Sequence, residues 1–200
     1  MATAEKPAIE RRAPETPAVR RRLFSVEEYY RMAAAGILAE NERVELIEGE
    51  IVVMCPIGSP HSGCVNALTH LLVSRVGGDA VVSVQSSVRL SDSSEPEPDL
   101  AVLRPRPDFY RSEHPGPADV LWLIEVMASS ADYDRGVKLG LYARSGIAEV
   151  WLVDLNEELV EAYRAPASEA YTETRTLRRG ENLAPGALPG VVLAVDEILG

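Results

Sequence analysis

The chain has 200 residues, of which 46% are hydrophobic, enough for one domain with a sizeable core. Its net charge of −11 argues against a protein that binds nucleic acid mainly through an overall positive charge. Neutralising phosphates requires patches of Lys and Arg. An acidic site could still meet a phosphate through a bound cation, which inverts the local charge.

Residues 1–22 differ in composition from the rest. They hold six basic and three acidic side chains, a net charge of +3, so the remaining residues carry −14. This segment is rich in Pro, Ala and charge and has no apolar periodicity, which predicts a disordered basic tail before a single domain over 23–200. The tail is either a solvated leader, which the composition favours, or a weak basic arm for nucleic acid.

The cysteine content and hydropathy predict a soluble cytoplasmic protein. Cys55 and Cys64 do not have CxxC spacing, which argues against a disulfide scaffold or a zinc site and suits a reducing cytoplasm. No apolar run reaches the ~18 residues of a membrane span, and the segment after residue 22 is too polar for a signal peptide.

The first predicted elements are a helix and a hairpin. Ser25 and Glu28 have the spacing of a capping box, so a short helix is expected over 26–35. The segment VELIEGEIVV (44–53) predicts two strands joined by a two-residue turn, in which Gly49 takes a positive φ.

The middle of the chain alternates between strand and helix patterns. In order, we expect a helix over 61–76, a strand over 80–90, a short strand over 98–103, a proline-rich loop over 104–119, a buried strand over 120–127, a helix over 133–146 and another buried strand over 149–155. The last strand, helix and strand form a βαβ unit, so these two strands should be parallel.

The residues after 155 predict a β-hairpin and a closing strand over 189–195. Together with the N-terminal hairpin, this order indicates an α/β or α+β fold around a mixed β-sheet flanked by helices.

Two carboxylates are predicted to converge at one edge of that sheet. Asp99 lies at the start of one predicted strand, and Glu125 lies inside the next apolar strand. A charge in an apolar run is costly unless it has a partner or a metal, and convergent carboxylates suit a hard cation such as Mg²⁺. The alternatives are a turn role for Asp99 and a loop-bonded, structural carboxylate for Glu125.

Lys138 lies on the helix that follows the Glu125 strand and can fold back over the end of that strand. There it could orient an attacking water or neutralise a transition state. The alternative is an exposed i,i+4 pair with Asp134, worth a few tenths of a kcal/mol. Gly136 and Gly140 each cost about 1 kcal/mol in a helix interior, which favours a helix that closely approaches the sheet or a ligand.

Three segments carry a resemblance to a known family: VELIEGEIV (44–52), EPDLAVL (97–103) and LIEVMASSADYDRGVKLGLYARSGIAEVWLVD (123–154). They closely resemble the Uma2 family of restriction-endonuclease-like proteins, and the resemblance covers about residues 23–200. It implies the PD-(D/E)xK nuclease fold, whose members typically cut DNA with Mg²⁺ held by acidic residues. Many proteins of this fold act as dimers, and an exposed apolar edge after the final strand makes a homodimer compatible with the sequence.

The resemblance also implies residue roles. Asp99 and Glu125 would be metal ligands for Mg²⁺ or Mn²⁺, with the backbone carbonyl of Val126 as a further ligand. The lysine of the motif should stand two residues after Glu125, but Met127 occupies that position. Lys138 on the next helix is the candidate replacement.

Three more residues are candidates for the same cleft. Glu45 aligns with a family-typical glutamate and either approaches the metal from the hairpin or faces solvent. His61, at the start of its helix, either positions substrate or water or is merely solvated. Gln85 could present its amide from its strand.

The leading prediction is a Mg²⁺-dependent DNA endonuclease. The alternatives are a non-catalytic nuclease-fold binding module, favoured by the displaced lysine and the charge of −14, and a metal-dependent hydrolase of small phosphorylated molecules. A DNA substrate requires a basic strip beside the acidic cleft. The arginines expected to form it are Arg104, Arg106, Arg111, Arg135 and Arg144.

Overall fold

The computed structural model describes residues 21–39, 41–128 and 133–200. The predicted tail therefore lies outside the described residues except for its last two. The helices and strands are α1 (Val26–Ala34), β1 (Val44–Ile47), β2 (Glu50–Val53), α2 (Ser59–Val76), β3 (Val81–Val84), β4 (Leu100–Leu103), β5 (Val120–Met127), α3 (Leu139–Arg144), β6 (Glu149–Asp154), β7 (Leu159–Ala167), β8 (Ala170–Arg178), β9 (Asn182–Leu183), β10 (Leu193–Ala194) and α4 (Val195–Leu199). A 3₁₀ turn (Pro117–Asp119) precedes β5, and a π-helical turn (Asp134–Lys138) precedes α3.

Six strands form one mixed sheet in the order β3-β4-β5-β6-β7-β8. Strands β5 and β6 are parallel and all other neighbours in this sheet are antiparallel. The predicted βαβ unit and the mixed α/β fold are thus confirmed. Strands β1 and β2 form a separate hairpin, and β9 pairs with β10.

The sheet has an apolar core on each face because side chains alternate along its buried strands. Trp122 and Trp151 point to one face, in a cluster that includes residues of α2 and α4. Leu123 and Leu152 point to the other face, in a cluster that includes residues of α3 and the first hairpin. Glu125 has the same parity as Leu123 and therefore points toward α3 and that hairpin.

Two local predictions near the N-terminus are confirmed. The Ser25 hydroxyl accepts from Glu28 N, and the Glu28 carboxylate accepts from Ser25 N, both at 3.2 Å, which completes the capping box of α1. Glu48 and Gly49 both have positive φ, 50° and 81°, as the two-residue hairpin turn requires.

Three predicted elements differ from the structure. The strand expected over 80–90 ends at Val84, because Gln85 has a φ of 45° and turns the chain out of the sheet. The helix expected over 133–146 begins with a π-helical turn. The closing strand is limited to β10, because α4 begins at Val195 and the Glu197 carboxylate accepts from Ala194 N at 2.9 Å, an N-terminal cap that a strand would not have.

Across the described ranges, every helix is too short or too polar to cross a membrane.

Candidate active site

The acidic residues meet in a cavity of about 390 Å³ between the first hairpin, the start of α2 and the central strands. The charged or titratable side chains in its lining include Arg43, Glu45, His61, Glu97, Asp99, Glu125, Tyr133, Asp134 and Lys138. The mostly apolar segment 52–57 also contributes to the lining. Polar groups that converge in an otherwise partly apolar cavity are typical of a ligand site.

Asp99 and Glu125 are brought together by the pairing of β4 with β5. Leu100 lies opposite Ile124 in this antiparallel pair, which places Asp99 opposite Glu125. The Asp99 N–H donates to Glu125 Oε2 at 3.2 Å, and the Val126 N–H donates to Asp99 Oδ2 at 2.8 Å. Each carboxylate is therefore held by the backbone of the other residue's segment.

His61 and Gln85 both lie beside Asp99. His61 Nε2 is 3.0 Å from Asp99 Oδ2, and the His61 side chain is 14% exposed, so the solvated alternative is wrong. The Gln85 amide donates to Asp99 Oδ1 at 3.4 Å. The Asp99 carboxylate is thus contacted from α2, from the residue after β3 and from β5.

Lys138 reaches back over β5, the position that the sequence predicts for it. Its Nζ lies 3.4 Å from Glu125 Oε1 and 3.2 Å from Glu45 Oε2. The Lys138 side chain is only 7% exposed, so its interpretation as an exposed surface pair with Asp134 is wrong. Glu45 is equally buried and does not face solvent.

Burial and charge shift the acid–base properties of this group. Burial raises the pKa of Glu125 to about 8, and the negative charges of Asp134 and Asp99 act in the same direction, whereas Lys138 and a hydrogen bond from Tyr142 oppose the shift. Burial alone would lower the pKa of Lys138, but Glu125 and Glu45 outweigh it and raise this pKa. The ammonium therefore stays charged at neutral pH.

Tyr142 and Glu97 also belong to this site and were not predicted from the sequence. Tyr142 donates a hydrogen bond of 2.5 Å to Glu125 Oε1, and its position one helical turn after Lys138 was a usable signal. Glu97 lines the cavity, and burial raises its pKa. It stands two residues before Asp99, a spacing that puts side chains on one side of an extended chain.

The expected basic strip is absent from the cavity lining within the described residues. Arg135 binds Asp154 and Glu161, and Arg144 binds Glu48, because neighbouring carboxylates of the chain itself attract them. The other three arginines of the prediction also lie outside the lining: Arg104, Arg106 and Arg111. The arginine in the lining is Arg43, which the sequence analysis did not select.

The carboxylates of this cavity fit a hard divalent cation whose remaining coordination positions are filled by water or substrate. In the part of the chain that the structure describes, no group of three or more His, Cys, Asp or Glu could hold a metal by itself. Mg²⁺ is typically bound by one or two carboxylates, with waters and substrate phosphates as the other ligands. Asp99 and Glu125 would provide the two carboxylates, and this oxygen donor set suits Mg²⁺ or Mn²⁺ better than a soft metal.

The fold is a mixed sheet that places one carboxylate directly before β4 and another inside β5, with a lysine from the following helix above them. The family model described as "Uma2: Putative restriction endonuclease" matches residues 26–196, and the chain belongs to this family. The family resemblance seen in the sequence is thereby confirmed.

One similar solved structure is from Anabaena variabilis ATCC 29413 and is described as a "putative nuclease belonging to DUF820". The TM-score is 0.67 at 18% sequence identity, and the match covers 88% of this chain and 97% of that chain. At this identity the similarity shows the fold. No curated protein matches this chain significantly.

Proposed function

We propose that the protein hydrolyses phosphodiester bonds in DNA and uses Mg²⁺ or Mn²⁺ as its cofactor. The observation that carries this proposal is the Asp99–Glu125 pair with the buried ammonium of Lys138 3.4 Å from Glu125 Oε1. Membership in the family described as "Putative restriction endonuclease" supports nucleic acid as the substrate class.

The residues have distinct tasks in this proposal. Asp99 and Glu125 would hold the cation, with the Val126 carbonyl as a further ligand, and the bound cation would supply Lewis-acid activation of water and of a phosphoryl oxygen. Lys138 stabilises negative charge that develops on the phosphoryl group. Glu45 holds the Lys138 ammonium at 3.2 Å.

His61 and Gln85 act through Asp99 rather than on the substrate. Their ring and amide nitrogens lie 3.0 Å and 3.4 Å from the two Asp99 oxygens. Such partners orient a metal-binding carboxylate and limit its rotation.

A second candidate function is hydrolysis of small phosphorylated molecules with the same cation. The absence of the five predicted arginines from the lining favours it, because a duplex needs cations along its backbone. A cavity of about 390 Å³ also lies in the range of ~300–1,000 Å³ that is typical of small-molecule sites.

The test is cleavage of plasmid DNA and of a small chromogenic phosphodiester with Mg²⁺ or Mn²⁺, with EDTA as the control. Wild type is compared with Asp99→Asn, Lys138→Ala and the exposed control Asp79→Asn, after circular dichroism has shown that each variant folds. We expect cation-dependent cleavage of plasmid that the first two substitutions abolish and the control retains.

Other outcomes separate the alternatives. Cleavage of the small phosphodiester alone would replace the DNA proposal by the second candidate. If neither substrate is cut but calorimetry shows Mn²⁺ binding that Asp99→Asn removes, the cation site stands and both substrates are wrong. Absence of both cleavage and cation binding would leave a non-catalytic nuclease-fold module.

A further inference from the structure

We propose that Tyr133 and Arg43 form a phosphate-binding subsite in the acidic cavity. In this subsite they would bind the anion, whereas the carboxylates of Asp99 and Glu125 would bind the cation. The two side chains would donate hydrogen bonds to non-bridging oxygens of the substrate phosphate. This inference rests on the proposed function, because it assigns the groups that receive the phosphate of that reaction.

Tyr133 is an unused hydrogen-bond donor in the cavity wall. Its hydroxyl oxygen is buried and has no hydrogen-bond partner among the described residues. Buried polar groups are nearly always hydrogen-bonded, so an unpaired one requires an explanation, such as a ligand that binds there. Burial raises the pKa of Tyr133 to about 12, so the phenol remains a donor at neutral pH.

Arg43 is a cation of the same lining: its charge acts on the Glu97 carboxylate, but it forms no ion pair among the described residues. Its guanidinium makes one hydrogen-bond contact with the described residues, 3.8 Å from Nη2 to the Met54 sulfur. Lys138, the other cation of the lining, is occupied by Glu45 and Glu125. The Met54 N–H donates to the Arg43 carbonyl at 2.9 Å, which ties this residue to the cavity wall. A guanidinium can bind phosphate through two parallel hydrogen bonds.

The surrounding charge predicts the condition under which the subsite binds. Glu45, Glu97, Asp99 and Asp134 line the same cavity, so a lone anion would be repelled. A divalent cation held by Asp99 and Glu125 removes this repulsion, and Mg²⁺ commonly completes its coordination with phosphate oxygens. Phosphate should therefore bind only together with the cation.

The experiment uses inorganic phosphate as the probe and the full chain throughout. Thermal unfolding is followed with Mg²⁺, with phosphate, with both and with neither, for wild type, Tyr133→Phe, Arg43→Gln and the exposed control Arg31→Gln. We expect phosphate to raise the melting temperature of wild type and of Arg31→Gln only when Mg²⁺ is present, since a ligand stabilises the state to which it binds.

Tyr133→Phe should keep the ligand-free melting temperature, because it removes a hydroxyl without a partner. Both Tyr133→Phe and Arg43→Gln should bind Mg²⁺ with the affinity of wild type. Their affinity for phosphate should be lower by a factor of about ten or more. If both bind phosphate as wild type does, or if wild type binds none in the presence of Mg²⁺, the inference is overturned.

The result can be separated from that of the cleavage assay. Cation-dependent cleavage with unchanged KM in Tyr133→Phe and Arg43→Gln overturns the subsite and leaves the proposed function intact. Failure of plasmid cleavage, together with Mg²⁺-dependent phosphate binding that both substitutions weaken, supports the subsite and removes DNA as the substrate.

Discussion

The Lys138 ammonium lies 3.2 Å from Glu45 Oε2 and so joins the helix after β5 to the first hairpin. The same glutamate oxygen accepts the Glu97 N–H at 3.1 Å, and the ammonium also reaches Glu125 at 3.4 Å. The Lys138 and Glu45 charges are buried, and each compensates the desolvation of the other. The contacts of Lys138 and Glu45 therefore connect the hairpin, the Glu97–Asp99 segment and β5 around the cavity.

Removal of Lys138 should destabilise the fold as well as the site. We expect Lys138→Met to lower the free energy of unfolding by about 3–5 kcal/mol, because it leaves the buried Glu45 carboxylate without its counter-charge. Urea unfolding measures the loss, and Lys138→Met combined with Glu45→Gln should cost less than the sum of the single substitutions. An additive double variant would contradict a direct Lys138–Glu45 interaction.

The raised pKa of Glu125 predicts the pH dependence of stability without a cation. The folded protein holds a proton on Glu125 up to about pH 8, whereas the unfolded chain releases it near the ordinary value of 4.5. Protonated Glu125 therefore makes its largest contribution to the free energy of unfolding below about pH 4.5. This contribution is lost as the pH rises toward about 8. Urea unfolding in EDTA at several pH values should show this slope in wild type and a flatter one in Glu125→Gln. Equal slopes would show that Glu125 titrates normally.

His61 should support the proposed cation site through its contact with Asp99. We expect His61→Ala to weaken Mn²⁺ binding by about 10–100-fold, because it removes a partner that orients a ligand carboxylate. His70→Ala is the matched control, since His70 lies on the exposed side of the same helix. Calorimetry that finds equal affinity in the two variants would exclude a positioning role for His61.

Gly49 is required by the hairpin turn for two separable reasons. Its φ of 81° is unfavourable for other residues, and a Cβ atom would lie 2.6 Å from Leu23 Cβ. Gly36 has a φ of 72° with no heavy atom within 4 Å of its Cβ position among the described residues. Gly36→Ala should cost about 1–2 kcal/mol and Gly49→Ala clearly more, as measured by urea unfolding. Equal losses would mean that residue 23 moves away freely.

Local patterns predicted the elements whose conformation depends on nearby residues. The capping box of Ser25 and Glu28 and the turn at Glu48-Gly49 were predictable because their hydrogen bonds and φ angles involve residues a few positions apart. The end of β3 was not, because the positive φ of Gln85 is held within the tertiary structure, where its amide contacts Asp99.

The amino-acid sequence by itself determined the buried strands, the order of the βαβ unit and the family, since apolar runs specify burial and motif spacing specifies the family pattern. Only the tertiary structure decided which charges are partners. It buried Glu45 against Lys138, paired Arg135 and Arg144 with carboxylates away from the cavity, and left Arg43 and Tyr133 in its lining. The physical reason is that an ion pair depends on the distance and desolvation of groups far apart in the chain, which packing sets and local sequence does not encode.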